Sequence, residues 1–316
     1  MTGALRVTAL TLYPVKSLAG VALESCPVDA RGLRGDRRWG IVDASGTKVT
    51  AREVKALLGL RAEPADAASP HPVPADSVPA DSVPADSAPA DVATTRSIRI
   101  VDREGDVLEV SQPLGAEPIP VSHTGQSTAL PAGPVADEWL SKRLGLPVRL
   151  VWQGEDATRP IKPELGGRPG DMNSLSDAAP ILLTTDASLG RLNGWLGEGG
   201  SDPIGHDRFR PNVVVDGDVP FAEDRWDEVR IGTVTLRRTM VCDRCVMTTI
   251  DRGTLETTKE PIRTLARHRR WDGATWFGIR LTPVLPLGPD AAIAVGDRVL
   301  VSPASPAPPV RASAGP

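Results

Sequence analysis

Three cysteines in 316 residues, Cys26, Cys242 and Cys245, are too few for a disulfide framework. Thiols this sparse suit a reducing compartment, so the expectation is a cytoplasmic protein. No window is long and apolar enough to span a bilayer, and residues 1–7 lack the apolar stretch and cleavage site of a secretory signal. A large excess of one charge is missing too. Thirty-six Lys and Arg against 40 Asp and Glu leave a formal net charge of -4, which exerts no global pull toward nucleic acid or a membrane. The four histidines, His71, His123, His206 and His268, are scattered. None of them forms an H-x-x-H pair and no second C-x-x-C exists, so a zinc site is not expected. Regular β-α-β alternation is absent as well, which argues against a doubly wound sheet.

What the chain does have is 31 prolines, 30 glycines and many short Val/Ile/Thr runs, a composition that favours β-rich structure over helical bundles. Residues 5–15 read as a strand whose regular part ends at Pro14. Residues 37–43 and 48–50 form a hairpin around Ala44-Ser45-Gly46, and 97–101 with 107–110 form another. Further strands are expected at 148–152, 180–184, 212–215, 277–282 and 298–301. Helices are expected at 53–60, at 135–144 with Gly145 as C-cap, at 187–196 capped by Thr185 or Asp186, and at 261–268 with Pro261 in the first turn. Residues 154–173 read as a polar loop. Val-Pro-Ala-Asp-Ser repeats at 73–77, 78–82 and 83–87. Proline every fifth residue excludes a helix or central strand there, so about 64–95 is expected to be a disordered insertion. A disordered tail is expected over 303–316.

The chemistry concentrates in Cys242-Asp243-Arg244-Cys245, between β-prone runs at 229–241 and 245–250. A thiol held between two strands sits on rigid backbone. Its neighbour Arg244 is expected to favour the thiolate, the form that binds a soft metal or attacks an electrophile. A thioredoxin-like pair would stand at a helix start, which β flanks do not provide. By spacing alone the two read equally well as ordinary buried cysteines. Three strand ends carry cations: Tyr13-Pro14-Val15-Lys16-Ser17, Asp36-Arg37-Arg38-Trp39 and Arg208-Phe209-Arg210-Pro211-Asn212. Each can aim a donor at a phosphate or a planar heterocycle. Singly, each reads as solvated charge.

Five motifs occur in order: Tyr-Pro-Val-Lys-Ser (13–17), Gly-Asp-Arg-Arg-Trp (35–39), Arg-Phe-Arg-Pro-Asn-Val-Val-Val (208–215), Glu-Asp-Arg-Trp (223–226) and Cys-Asp-Arg-Cys-Val-Met-Thr-Thr-Ile-Asp (242–251). Together they resemble the MOSC family, in the branch with an N-terminal MOSC β-barrel domain typified by the mitochondrial amidoxime reducing component. The resemblance spans residues 5–301. It implies a mixed, β-rich α+β fold, with an N-terminal MOSC-type barrel-like domain at 4–125 packed on a C-terminal MOSC β-barrel at 126–302.

The same resemblance implies a molybdenum cofactor held by Cys245 as the protein ligand to molybdenum. Lys16, Ser17, Arg37, Ser188, Arg210 and Asn212 match positions that contact the molybdopterin, with Asp243 and Arg244 beside the metal. The implied activity is reduction of N-hydroxylated or related N–O/S–O compounds. Electrons would come from a separate ferredoxin, flavoprotein or cytochrome, since no cysteines remain for an iron–sulfur cluster in this chain. A non-catalytic cofactor carrier and a persulfide sulfur-transfer protein are the alternatives. The pyridoxal phosphate module of a complete sulfurase is not seen. Asp251-Arg252-Gly253-Thr254 departs from the family's Asp-Pro-x-Thr-Gly, so the geometry of that loop is open.

Overall fold

The computed structural model describes residues 4–65 and 96–303. The repeat insertion and the tail lie, but for their edges, outside the described residues. The rest is β-rich with three helices: α1 (Pro134–Leu144), α2 (Asp186–Glu198) and α3 (Ile262–His268).

A nine-stranded sheet dominates. It runs Val299–Pro303, Trp226–Ile231, Val234–Asp243, Ala274–Pro283, Ile181–Thr185, Val213–Val215, Val7–Leu12 and Val21–Ala22, with Arg270–Trp271 paired to Ala274–Pro283. Its neighbours are antiparallel except Ile181–Thr185 and Val213–Val215, which are parallel, with Leu183 opposite Val213. A parallel pair needs a crossover, and α2 supplies it. Gly278 takes a φ of 75°, and a Cβ there would stand 2.7 Å from the Leu183 carbonyl oxygen. Only glycine lets these two strands approach so closely. A four-stranded sheet orders Trp39–Asp43, Val148–Trp152, Gln126–Pro131 and Ile119–His123, and two three-stranded sheets complete the β structure.

Burial follows sequence pattern. Val107–Ser111 alternates exposed and buried residues, as a sheet with one wet face should. Trp39–Asp43 is buried along nearly its whole length, which fits its place beside Val148–Trp152 and across from Val15.

Two large cores form, and neither is contiguous in sequence. The first joins Val7, Leu10, Leu12, Cys26 and Val28 to Leu236, Ile279 and Leu281. The second joins Val15, Trp39, Ile41, Leu57 and Ile100 to Leu140, Val148 and Leu150. A smaller third core holds Leu192, Leu196, Leu265, Phe209 and Phe277, with Phe221 packed against it. The Phe209 and Phe277 rings stack with centroids 4.1 Å apart.

Two expectations need correction. The run 245–250 is not a strand: the preceding strand ends at Asp243, and Val246–Thr249 makes a 3₁₀ turn. Hydroxyls explain it. The Thr248 N–H and Oγ1 both donate to the Cys245 carbonyl, at 3.1 and 3.0 Å, and Thr249 Oγ1 donates to the Val246 carbonyl at 2.7 Å. Side chains that bond the local backbone compete with a ladder and win here. The helix expected at 53–60 is a shorter 3₁₀ turn, Lys55–Gly59.

Candidate functional site

The sheet ends converge on a cleft of about 220 Å³. Lys16 and Ser17 reach it just beyond the Val7–Leu12 strand. Arg37 enters ahead of Trp39–Asp43, Arg210 and Asn212 ahead of Val213–Val215, and Asp243 to Cys245 from the end of Val234–Asp243. Eight of the nine residues expected from sequence therefore line one cleft.

Its backbone is unusual. Seven non-glycine residues among those described have a positive φ, and three line the cleft: Ser17 (73°), Arg37 (48°) and Arg210 (57°). The left-handed region is costly for such side chains and persists only where the surroundings over-determine it.

Arg37 is locked in place. Its Nη1 donates to Asp36 Oδ2 at 2.5 Å and to Asn212 Oδ1 at 3.1 Å, and Nη2 donates to the Arg210 carbonyl at 3.3 Å. Asn212 Nδ2 donates to Asp36 Oδ1 (2.9 Å) and to the Thr11 carbonyl (3.2 Å), while its Oδ1 also accepts the Leu182 N–H. Both ends of that amide are engaged within the protein, so Asn212 acts here by holding Arg37 and three strands together.

Arg210 differs. Its Nη1 and Nη2 are out of contact with solvent and have no hydrogen-bond partner, although the residue as a whole keeps some exposure. The guanidinium lies 4.3 Å from the Tyr13 ring centroid. Burial pulls its pKa down to about 9. Buried charge without a partner is expensive and implies an anionic or acceptor-rich ligand. Lys16 is 9 % exposed, and its Nζ donates to the Leu175 carbonyl at 2.7 Å and to Asp177 Oδ1 at 2.5 Å. Burial pulls its pKa down to about 8, with Asp177 opposing the fall.

The two cysteines of the C-x-x-C segment are unlike each other. Cys242 is 4 % exposed, and its sulfur accepts a hydrogen bond from Arg244 Nη1 at 2.8 Å. Cys245 is exposed in the cleft, where Arg52 Nη2 donates to its sulfur at 3.8 Å. The cation expected beside Cys245 is thus Arg52; Arg244 turns the other way, toward Cys242 and the Phe209 carbonyl (2.8 Å). Asp243 pairs with Arg280 at 2.6 Å. Arg208 secures the turn after Cys245, donating to the Thr248 carbonyl at 3.0 Å and to Asp251 Oδ2 at 3.3 Å. In the altered loop, Asp251 Oδ1 accepts the Gly253 and Thr254 N–H groups, each at 2.9 Å, an Asx-type turn that forms without the proline.

Ser188 is not in the cleft. It is fully buried at the start of α2, donating to Glu223 Oε2 at 2.9 Å and accepting the Phe221 N–H at 2.7 Å. Its own N–H is taken by Thr185 Oγ1. The Thr185 cap was expected; what sequence did not show is that the Ser188 hydroxyl is already engaged by Glu223 and Phe221.

Arg52, Asp177 and Lys48 also line the cleft and were not anticipated. For Arg52 and Lys48 the signal was available. They flank Val49-Thr50-Ala51 around the end of the expected second hairpin strand, as Lys16 follows the first strand. Asp177 lies in a Ser/Asp/Ala stretch with no such mark.

A cleft of five arginines and two lysines around one exposed thiol, built by strand ends from both large cores, is suited to an anionic, metal-bearing or electrophilic group. The chain matches the MOSC N-terminal beta barrel domain over residues 4–78 and the MOSC domain over residues 171–300, and it belongs to the MOSC family with that N-terminal barrel. It is 32 % identical over 277 residues to mitochondrial amidoxime-reducing component 1 of Homo sapiens, covering 84 % of this chain and 72 % of that one. The Xenopus laevis protein of the same name is 30 % identical over 312 residues, covering 89 % and 80 %. Molybdenum cofactor sulfurase of Oryza sativa subsp. japonica is 26 % identical over 294 residues, which is 88 % of this chain but 32 % of that protein. No helix among the described residues is long and apolar enough to cross a membrane.

Proposed function

We propose that the cleft holds the molybdenum cofactor with Cys245 as the protein's ligand to the metal, and that the chain reduces N-hydroxylated or related N–O/S–O compounds. The amidoxime-reducing relatives support the reaction class. The observation that carries the cofactor is the pairing of an exposed Cys245 sulfur with the unpartnered Arg210 guanidinium in one cleft. These residues fit the group. Arg210 offers four N–H bonds to a phosphate or ring oxygen, Lys16 adds charge, and Ser17 adds a hydroxyl. When bound, the cofactor would supply the two-electron redox chemistry of the reduction.

The chain's own part is to bind and orient. Arg37, held by Asp36 and Asn212, fixes the cleft floor before anything enters. Arg52 and Asp177 hold the space beside the Cys245 sulfur. Reduction of an N-hydroxyl to an amine consumes two electrons and two protons and releases water. Those electrons come from a separate redox protein such as a ferredoxin, flavoprotein or cytochrome.

Metal analysis combined with reduction of an amidoxime by an artificial electron donor tests the reading. Wild-type chain should bind molybdenum and turn over, and Cys245→Ala should do neither. Molybdenum without turnover would instead identify a cofactor carrier. Labile sulfane sulfur on Cys245 without molybdenum would identify a sulfur-transfer protein.

A further inference from the structure

Arg37 and Arg38 are adjacent, yet they serve different cavities. Arg37 lines the thiol cleft, whereas Arg38 lines a separate cavity of about 440 Å³ on the other side of the 35–39 segment. Leu12, Pro14, Trp39 and Ile98 give this second cavity an apolar wall.

Two buried donors on its lining are unused. Trp152 is 1 % exposed and its Nε1 has no partner; Arg38 is buried and its Nε has none. Arg38 Cζ lies 5.7 Å from the Trp152 ring centroid, near enough for one small group to reach both. An orphaned buried N–H is costly, so two on the walls of one cavity point to an occupant that accepts. The acids on the lining are already engaged. Asp29 Oδ1 accepts the Arg31 N–H at 2.7 Å, and Glu155 lies 3.4 Å from Arg38 Nη2 and 3.9 Å from Arg31. Arg96, also on the lining, adds a further cation. Burial depresses the Arg38 pKa more than Glu155 restores it, so its charge is under-compensated.

We propose that this cavity is a second binding site, for a small carboxylate with an apolar body. The carboxylate accepts from Trp152 Nε1 and Arg38 Nε, and the body packs on Trp39, Ile98, Leu12 and Pro14.

The test is calorimetric titration of the full chain with benzoate, with benzamide as its uncharged counterpart. Benzoate should bind at least tenfold more tightly than benzamide. Trp152→Phe, which keeps a ring but removes the N–H, should weaken benzoate at least tenfold, the loss of one charge-assisted hydrogen bond. Ile98→Trp, which fills the cavity, should abolish binding. Thermal melting without ligand shows whether either variant is folded, and either alone suffices. Arg210→Ala, in the other cleft, should leave benzoate affinity unchanged. The proposal is overturned if benzoate does not bind, if benzamide binds equally well, or if affinity follows Arg210 rather than Trp152.

Discussion

Arg52 Nη2 stands 3.8 Å from Cys245 Sγ although 193 residues separate them in the chain. The same nitrogen donates to Asp177 Oδ2 at 3.1 Å, and the other oxygen of that carboxylate receives Lys16 Nζ. Three distant segments thus converge on one sulfur. Three residues earlier, Cys242 is occupied by Arg244. Sequence proximity assigned Arg244 to the wrong thiol.

The first consequence concerns reactivity. Iodoacetamide added to the folded chain should label Cys245 alone, read by mass spectrometry of the digested protein. Cys26 is fully buried and its thiol is pushed up to about 12 by burial, and Cys242 is enclosed. Labelling of Cys242 first would place the reactive sulfur elsewhere. Cys242→Ala should correspondingly spare molybdenum binding that Cys245→Ala removes.

Arg210 should trade stability for binding. Replacing an unpaired buried guanidinium with methionine should raise the melting temperature of the ligand-free chain by about 2–4 °C, corresponding to roughly 1 kcal/mol. The same Arg210→Met change should lower cofactor retention at least tenfold. A fall in melting temperature would mean that Arg210 has a structural partner.

Lys16 sets a pH limit. With its pKa pulled down to about 8, the ammonium is charged at neutral pH and loses its proton as pH rises through that value. Retention of an anionic ligand should therefore decline severalfold between pH 7 and pH 9. Lys16→Arg should flatten the profile, as measured by equilibrium dialysis, because a guanidinium holds its proton more tightly than an ammonium in the same place. An unchanged slope in the variant would assign the effect to another group.

Glu223 affects folding rather than binding. Burial raises its carboxyl from an ordinary 4.5 to about 7, with hydrogen bonds from Ser188 and Thr185 opposing the rise. The folded chain therefore holds this proton more tightly than the unfolded chain does. The resulting stability is full below about 4.5 and is lost as pH rises through 7, on the order of 3 kcal/mol. Urea midpoints measured at pH 5 and pH 8 should differ in wild type, and that difference should shrink in Glu223→Gln.

Much of the cleft was legible in the sequence because strand ends bearing Lys, Arg and Asn mark themselves by composition. Composition marked Lys16, Arg37 and Arg210 only as candidates, each reading singly as solvated charge; the resemblance to the MOSC family is what implied a shared site. What sequence does not carry is which partner a side chain meets. Ser188 looked like a free helix-start hydroxyl, but a glutamate 35 residues away occupies it. The 245–250 run has β-branched residues in number, yet two threonine hydroxyls bend it into a turn. The strands Ser25–Asp29 and Ile119–His123 escaped notice because Pro27 and Pro120 lie inside them, and proline argues against a central strand.

The interleaving of the two large cores reaches beyond packing. Residues from the first forty positions complete a hydrophobic interior with residues beyond 230, while 140–150 close the other interior with residues 15–100. During synthesis, the first interior cannot finish before most of the chain has emerged, and the second, nearly complete by residue 152, still waits for Ile250. Fragments cut at the midpoint should fail as autonomous units, and the thiol cleft comes into being only when the last strands close, so immature chains have nowhere to load a ligand.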